Sequence, residues 1–228
     1  RAKMRLFGNF WVPDSDAKGM KNRKKMIAAF GEKDGSVESL KLAIDHMRSN
    51  VPEQILQPGS AIDAGANVGS YTRVLAEHFA IVHAFEPAHD TFRCLERNVY
   101  EGGHFHKVHL HNAAVSDERA YVGIKRSWLR LSITSTVSEK GEIPAVPLDV
   151  LKLDNLRFLK LDVEGFEYKA LLGARKTIMA CRPAVFMEVK PADEERAAEP
   201  YQAEKLLLSM GYTLALSVGI NRLYYPST

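Results

Sequence analysis

The chain has 228 residues, 46% hydrophobic and 26% charged, which fits one α/β domain with a sizeable core. Its formal net charge of +3 is too small to argue for nucleic acid as a partner. The two cysteines, Cys94 and Cys181, exclude a disulfide framework or a cysteine zinc site and read as buried thiols of a reducing compartment, the cytoplasm; no apolar stretch is long enough to span a bilayer, and the basic start carries no apolar signal core.

Residues 1–50 read as a helical or irregular extension packed on a domain formed by 51–228. Phe7, Phe10, Trp11 and Val12 make an apolar patch, and Lys18, Lys21, Arg23, Lys24 and Lys25 form a solvated basic face. Val37, Leu40, Ile44 and Met47 recur at helical spacing. From residue 60 onward strand and helix patterns alternate, the signature of a mostly parallel sheet covered on both faces. Core strands are predicted at 61–64, 81–85, 107–112, 158–163 and 184–189. Helices are predicted at 70–78, 90–100, 168 to about 180 and 201–210. Two extra strands, 121–125 and 143–146, flank a polar loop, and 213–218 with 222–225 form a closing antiparallel pair.

The first strand runs through Asp63 into a turn bounded by Gly65 and Gly69, followed by a helix opening with Ser70 and Tyr71. Glycines let backbone N–H groups approach a ligand, and the helix N-terminus favours an anionic group. The Gly65-x-x-x-Gly69 spacing lacks the third glycine of a dinucleotide site. Glu86, followed by Pro87, ends the second strand about twenty residues on, placed for ribose hydroxyls. The second signature is Asp162-Val163-Glu164-Gly165-Phe166-Glu167 after the fourth core strand. Glu188 ends the fifth. Ligands of open α/β sheets bind beyond such strand ends, so three acids converge beside the turn. They suit a general base, and their oxygens would also suit a magnesium ion.

These segments, with Asn112-Ala113-Ala114-Val115 and Val146-Pro147-Leu148-Asp149, resemble the FkbM-type S-adenosylmethionine-dependent methyltransferases in order and content over about residues 60–190. The resemblance implies a Rossmann-like class I fold: a mostly parallel seven-stranded sheet, helices on both faces and an antiparallel C-terminal strand. It implies O-methylation, with a sugar hydroxyl of a glycan or small glycosylated metabolite as the acceptor. Gly65, Ala66, Asn67, Gly69, Ser70 and Tyr71 would surround the methionine part of S-adenosylmethionine, with Asp63 fixing the turn or accepting from the ammonium. Glu86 and Pro87 would meet the ribose, and Asn112, Ala113 and Ala114 the adenine. Asp162 would border both cofactor and acceptor, and Asp162, Glu164 and Glu188 form the catalytic set.

Two other readings remain at this level: RNA ribose 2′-O-methylation, suggested by the basic and aromatic stretch Lys125–Arg130 around Trp128 and by Lys190, and a cofactor-binding interaction module without catalysis. His104, His106, His109 and His111 read as surface and strand-end residues, since no cysteine pair completes a zinc set. The acceptor, its methylated position and the oligomeric state are not readable from the residues.

Overall fold

Segments apolar on two faces become core strands, and segments apolar on one face become the helices that cover them. The computed structural model describes residues 4–14, 35–50, 58–127, 134–189 and 199–227. A hairpin of β1 (Met4–Phe7) and β2 (Phe10–Pro13) comes first. Helix α1 (Gly35–Asn50) follows, burying Leu40, Ala43, Ile44 and Met47 along one stripe. Strand β3 (Ser60–Ala64) leads into α2 (Ser70–His78), β4 (Ile81–Phe85) into α3 (His89–Glu101), and then comes β5 (Val108–His111).

A small sheet interrupts the alternation: β6 (Ala114–Val115), β7 (Ala120–Ser127) and β8 (Thr134–Val146), in the order β6-β8-β7. The chain returns with β9 (Leu156–Leu161), α4 (Glu167–Gly173), α5 (Arg175–Cys181) and β10 (Ala184–Glu188), then α6 (Glu199–Ser209), β11 (Tyr212–Val218) and β12 (Asn221–Pro226).

The main sheet has seven strands in the order β11-β12-β10-β9-β3-β4-β5. Strands β5, β4, β3, β9 and β10 are parallel, whereas β12 runs antiparallel to β10 and β11. This bears out the expected sheet and its reversed C-terminal strand. The chain leaves β3 toward β4 and β5 and then returns to β9 on the other side, so β3 and β9 flank a topological switch point. Alternate residues feed the two faces: Ile62, Ala64, Leu159, Leu161 and Val185 pack on one, Ala61, Val82, Ala84, Phe158 and Phe186 on the other.

Two predicted elements differ. The helix expected from 168 to about 180 is two helices. A Cβ at Gly173 would lie 2.0 Å from the Ser116 carbonyl oxygen, so the chain is pressed close there. The Asp149 carboxylate accepts from the Lys176 and Thr177 N–H groups (3.1 and 2.9 Å) and from the Thr177 hydroxyl (2.8 Å), starting α5 afresh. Much of the polar loop expected after 125 is strand, because β8 pairs with β7 from Thr134 onward; its Ser, Thr, Glu and Lys content hid the ladder. Trp128, Arg130 and Lys190 lie outside the described residues.

Candidate active site

At the switch point the ends of β3 and β9 are stitched together by the Asp162 N–H donating to the Ala64 carbonyl at 3.1 Å. The turn that follows β3 crosses so close to β9 that a Cβ on Gly65 would meet the Asp162 oxygen at 1.8 Å, and Gly65 has φ 79°. Only glycine fits both demands. The Gly65 and Ala66 N–H groups both donate to the Phe85 carbonyl, at 3.0 and 2.8 Å, which ties the turn to β4. Beyond these ends lies an open cleft lined by Gly65, Asn67, Phe85, Glu86, Pro87, Thr91, Ala113, Ala114, Val115, Asp162, Val163 and Glu164.

Glu86 is 7% exposed, and its carboxylate accepts from the Asn67 N–H at 3.0 Å and the Ala88 N–H at 2.8 Å. Burial pushes its carboxyl up to about 7, against the downward pull of those two backbone donors. Each oxygen keeps acceptor capacity for a ligand. Asn112 stands behind it, its amide donating to the Glu86 and Pro87 carbonyls at 2.8 and 3.1 Å. The Asn67 side-chain oxygen, itself buried, has no hydrogen-bond partner among the described residues.

Beneath the turn lies a buried charge pair. Lys160, from the middle of β9's apolar run, places its Nζ 3.0 Å from Asp63 Oδ1 and 3.9 Å from Asp162 Oδ2. The ammonium also donates to the Gly65 carbonyl at 2.8 Å and, more weakly, the Ala64 carbonyl at 3.3 Å. The Thr72 hydroxyl donates to the other Asp63 oxygen at 2.6 Å. Burial works against the Lys160 charge, but Asp63 and then Asp162 outweigh it and hold its proton above the ordinary lysine range.

The turn after β9 carries the acids. Glu164 is in the left-handed region at φ 54°, followed by Gly165 at 102°, a conformation that costs a non-glycine residue energy. Glu167 holds it there: the carboxylate, 4% exposed, accepts from the Val163 and Gly165 N–H groups at 3.1 and 3.0 Å. Asp162, Glu164 and Glu188 each bring a carboxylate oxygen within 4.8 Å of the others.

Of the residues singled out from the sequence, Gly65, Asn67, Glu86, Pro87, Ala113, Ala114, Asp162 and Glu164 meet around the cleft. Glu188 joins Asp162 and Glu164 from the next strand. Asp63, Ala66, Gly69, Ser70, Tyr71 and Asn112 are not on its lining; Asp63 faces Lys160, and the Tyr71 ring lies 4.9 Å from the Lys160 ammonium. Sequence reasoning assigned no role to Lys160, although a lone lysine inside Phe158–Leu161 is a break in pattern that asks for a partner. Glu167 stands at the end of the Asp162–Glu167 signature with no role of its own legible in the sequence. His109 is exposed and His111 stacks on Phe85 at 4.3 Å. The described triad with metal-compatible spacing is carboxylate, not histidine.

The family model of the methyltransferase FkbM domain matches residues 63–214. The chain belongs to the FkbM methyltransferase family. Among solved structures, an FkbM methyltransferase from Methylobacillus flagellatus KT is similar with a TM-score of 0.53 and 19% identity, over 93% of this chain. This chain spans 61% of that protein's length. A precorrin-6y C5,15-methyltransferase from Geobacter metallireducens GS-15 has a TM-score of 0.53 and 12% identity, over 84% of this chain and 88% of its own. A precorrin-8w decarboxylase from Methanobacterium thermoautotrophicum has a TM-score of 0.50 and 13% identity, over 83% and 90%. No curated protein matches the sequence. These likenesses concern the fold, that of the class I S-adenosylmethionine-dependent methyltransferases, and the residues matched by the family model include Asp162–Glu167 at the switch point. Among the described residues no helix is long and apolar enough to cross a membrane.

Proposed function

We propose that the protein transfers a methyl group from S-adenosylmethionine to an acceptor hydroxyl, on a sugar of a glycan or small glycosylated metabolite. The observation that carries this reading is the meeting of a buried acceptor, Glu86, with two carboxylates, Asp162 and Glu164, across one cleft beside the glycine turn. The residues fit the cofactor. Glu86 offers its remaining lone pairs to the ribose diol, and the unpaired Asn67 oxygen offers an acceptor to an amino or hydroxyl donor. Ala113 and Ala114, small apolar residues on the cleft lining, offer contact to adenine.

The sulfonium supplies an activated methyl, so the protein's task is alignment, exclusion of water and removal of the hydroxyl proton. Asp162 and Glu164, at the rim, are within reach of an acceptor and take that proton, with Glu188 beside them. Lys160 holds the glycine turn beside these groups, and Glu167 holds the turn that bears Asp162 and Glu164. The sugar acceptor rests on family resemblance. Neither Cys94 nor Cys181 forms a disulfide among the described residues, which suits the cytoplasm.

Calorimetry with S-adenosylmethionine and its demethylated product, followed by glycan and metabolite profiling with labelled cofactor, tests the reading. Binding of both compounds and label on a sugar oxygen are expected. Tight NAD binding without response to S-adenosylmethionine overturns the cofactor; label on carbon or nitrogen overturns the acceptor.

A further inference from the structure

Asn98, 1% exposed on α3, uses its whole side-chain amide. Its oxygen accepts from the Trp11 N–H at 2.7 Å, and its nitrogen donates to the Trp11 carbonyl at 2.9 Å and to the Val68 carbonyl at 2.8 Å. The pattern allows one orientation only, since a flipped amide would face a donor with a donor. Val68 lies in the glycine turn, next to Asn67, whose N–H donates to Glu86. One side chain therefore joins the N-terminal hairpin to the turn that lines the cleft. Val12 is fully buried and clusters with Val68 and Cys94. The Trp11 ring lies 3.4 Å from the Arg97 guanidinium, and its Nε1–H donates to Glu101 at 2.8 Å. The hairpin thus grips the helix that follows Glu86.

We propose that Asn98 is a positioning residue for cofactor binding, setting the Val68 peptide and coupling the docking of residues 4–13 to occupancy of the cleft. This role rests on the cofactor reading above. A ligand drawing on Asn67 and Glu86 gains from a turn already held, and by reciprocity its binding tightens the hairpin. Asn98→Asp keeps an acceptor for the Trp11 N–H and loses both donors, to the Trp11 and Val68 carbonyls.

The test is calorimetry with the demethylated product on the full chain, with hydrogen exchange at residues 4–13. Asn98→Asp should weaken binding at least tenfold in protein that still melts cooperatively. Trp11→Ala, which removes the ring contacts to Arg97 and Glu101 and changes no residue of the cleft lining, should weaken it in the same direction, and Tyr100→Ala, exposed on the same helix, should not. In the wild type the ligand should slow exchange of the Trp11 amide. Wild-type affinity in folded Asn98→Asp and Trp11→Ala, or hairpin exchange indifferent to ligand, overturns the role of Asn98 alone. Wild type that binds neither cofactor form overturns the cofactor reading and this role with it. Should Asn98→Asp not fold, Trp11→Ala and the exchange measurement decide.

Discussion

Lys160 Nζ and Asp63 Oδ1 lie 3.0 Å apart with side chains 2% and 0% exposed, a complete ion pair inside the sheet. The ammonium also holds the Gly65 carbonyl, so the pair fixes where the glycine turn leaves β3. Desolvation makes such pairs weak net stabilisers when intact and costly when half removed.

Lys160→Met alone should therefore lower stability by about 3–5 kcal/mol, and Lys160→Met with Asp63→Leu should recover much of it. Urea unfolding of the two variants measures this. An equal loss in both would show that the Gly65 and Thr72 contacts, not the pair, dominate.

Glu86 predicts a pH dependence. Its carboxyl, pushed up to about 7 by burial, is part protonated near neutrality in the free protein. A ribose diol donates to the ionised form, so cofactor affinity should rise with pH through about 7. Unliganded stability runs the other way. The folded value lies above the unfolded 4.5, so this group's contribution is full below 4.5 and lost as pH rises through about 7. Glu86→Gln should flatten the affinity profile and weaken binding by about 1–3 kcal/mol, read by calorimetry across pH.

At the rim, Asp162→Asn or Glu164→Gln should cut turnover by roughly 10²–10⁴-fold with the fold retained. Chelator should leave the wild-type rate unchanged. Loss with chelator and return with magnesium would reassign the three acids to a metal, and near-normal rates in both variants and in Glu188→Gln would leave them a structural role.

Glu167 should act through the turn it holds. Glu167→Ala leaves two backbone donors without their acceptor and should cost about 1–3 kcal/mol of stability for each that stays dry. It should also lower turnover more than cofactor affinity, since the displaced groups are Asp162 and Glu164. Thermal melts and steady-state kinetics separate the two effects.

Much of this architecture is readable locally. Ala61–Gly69 and Leu161–Glu167 carry strand, acid and turn within a dozen residues, so the strand ends and the cleft follow from pattern. Partners far apart in sequence do not. Lys160 meets Asp63 across two strands, Asp149 caps a helix 27 residues on, and Asn98 meets Trp11 across 87 residues. Each is a polar residue whose meaning lies in a group that no local window contains. The break between α4 and α5 is of the same kind, since it depends on how closely Gly173 passes Ser116.

The position of β12 bears on how the chain is made. Among the described strands of this sheet it comes last in chain order, yet it lies between β10 and β11, pairing with both. On the ribosome, β10 keeps a bare edge and β11 has no neighbour until residues 221–226 have emerged. The sheet is therefore sealed last from within, and a chain cut just before Asn221 would expose an unpaired ladder on β10 to other chains.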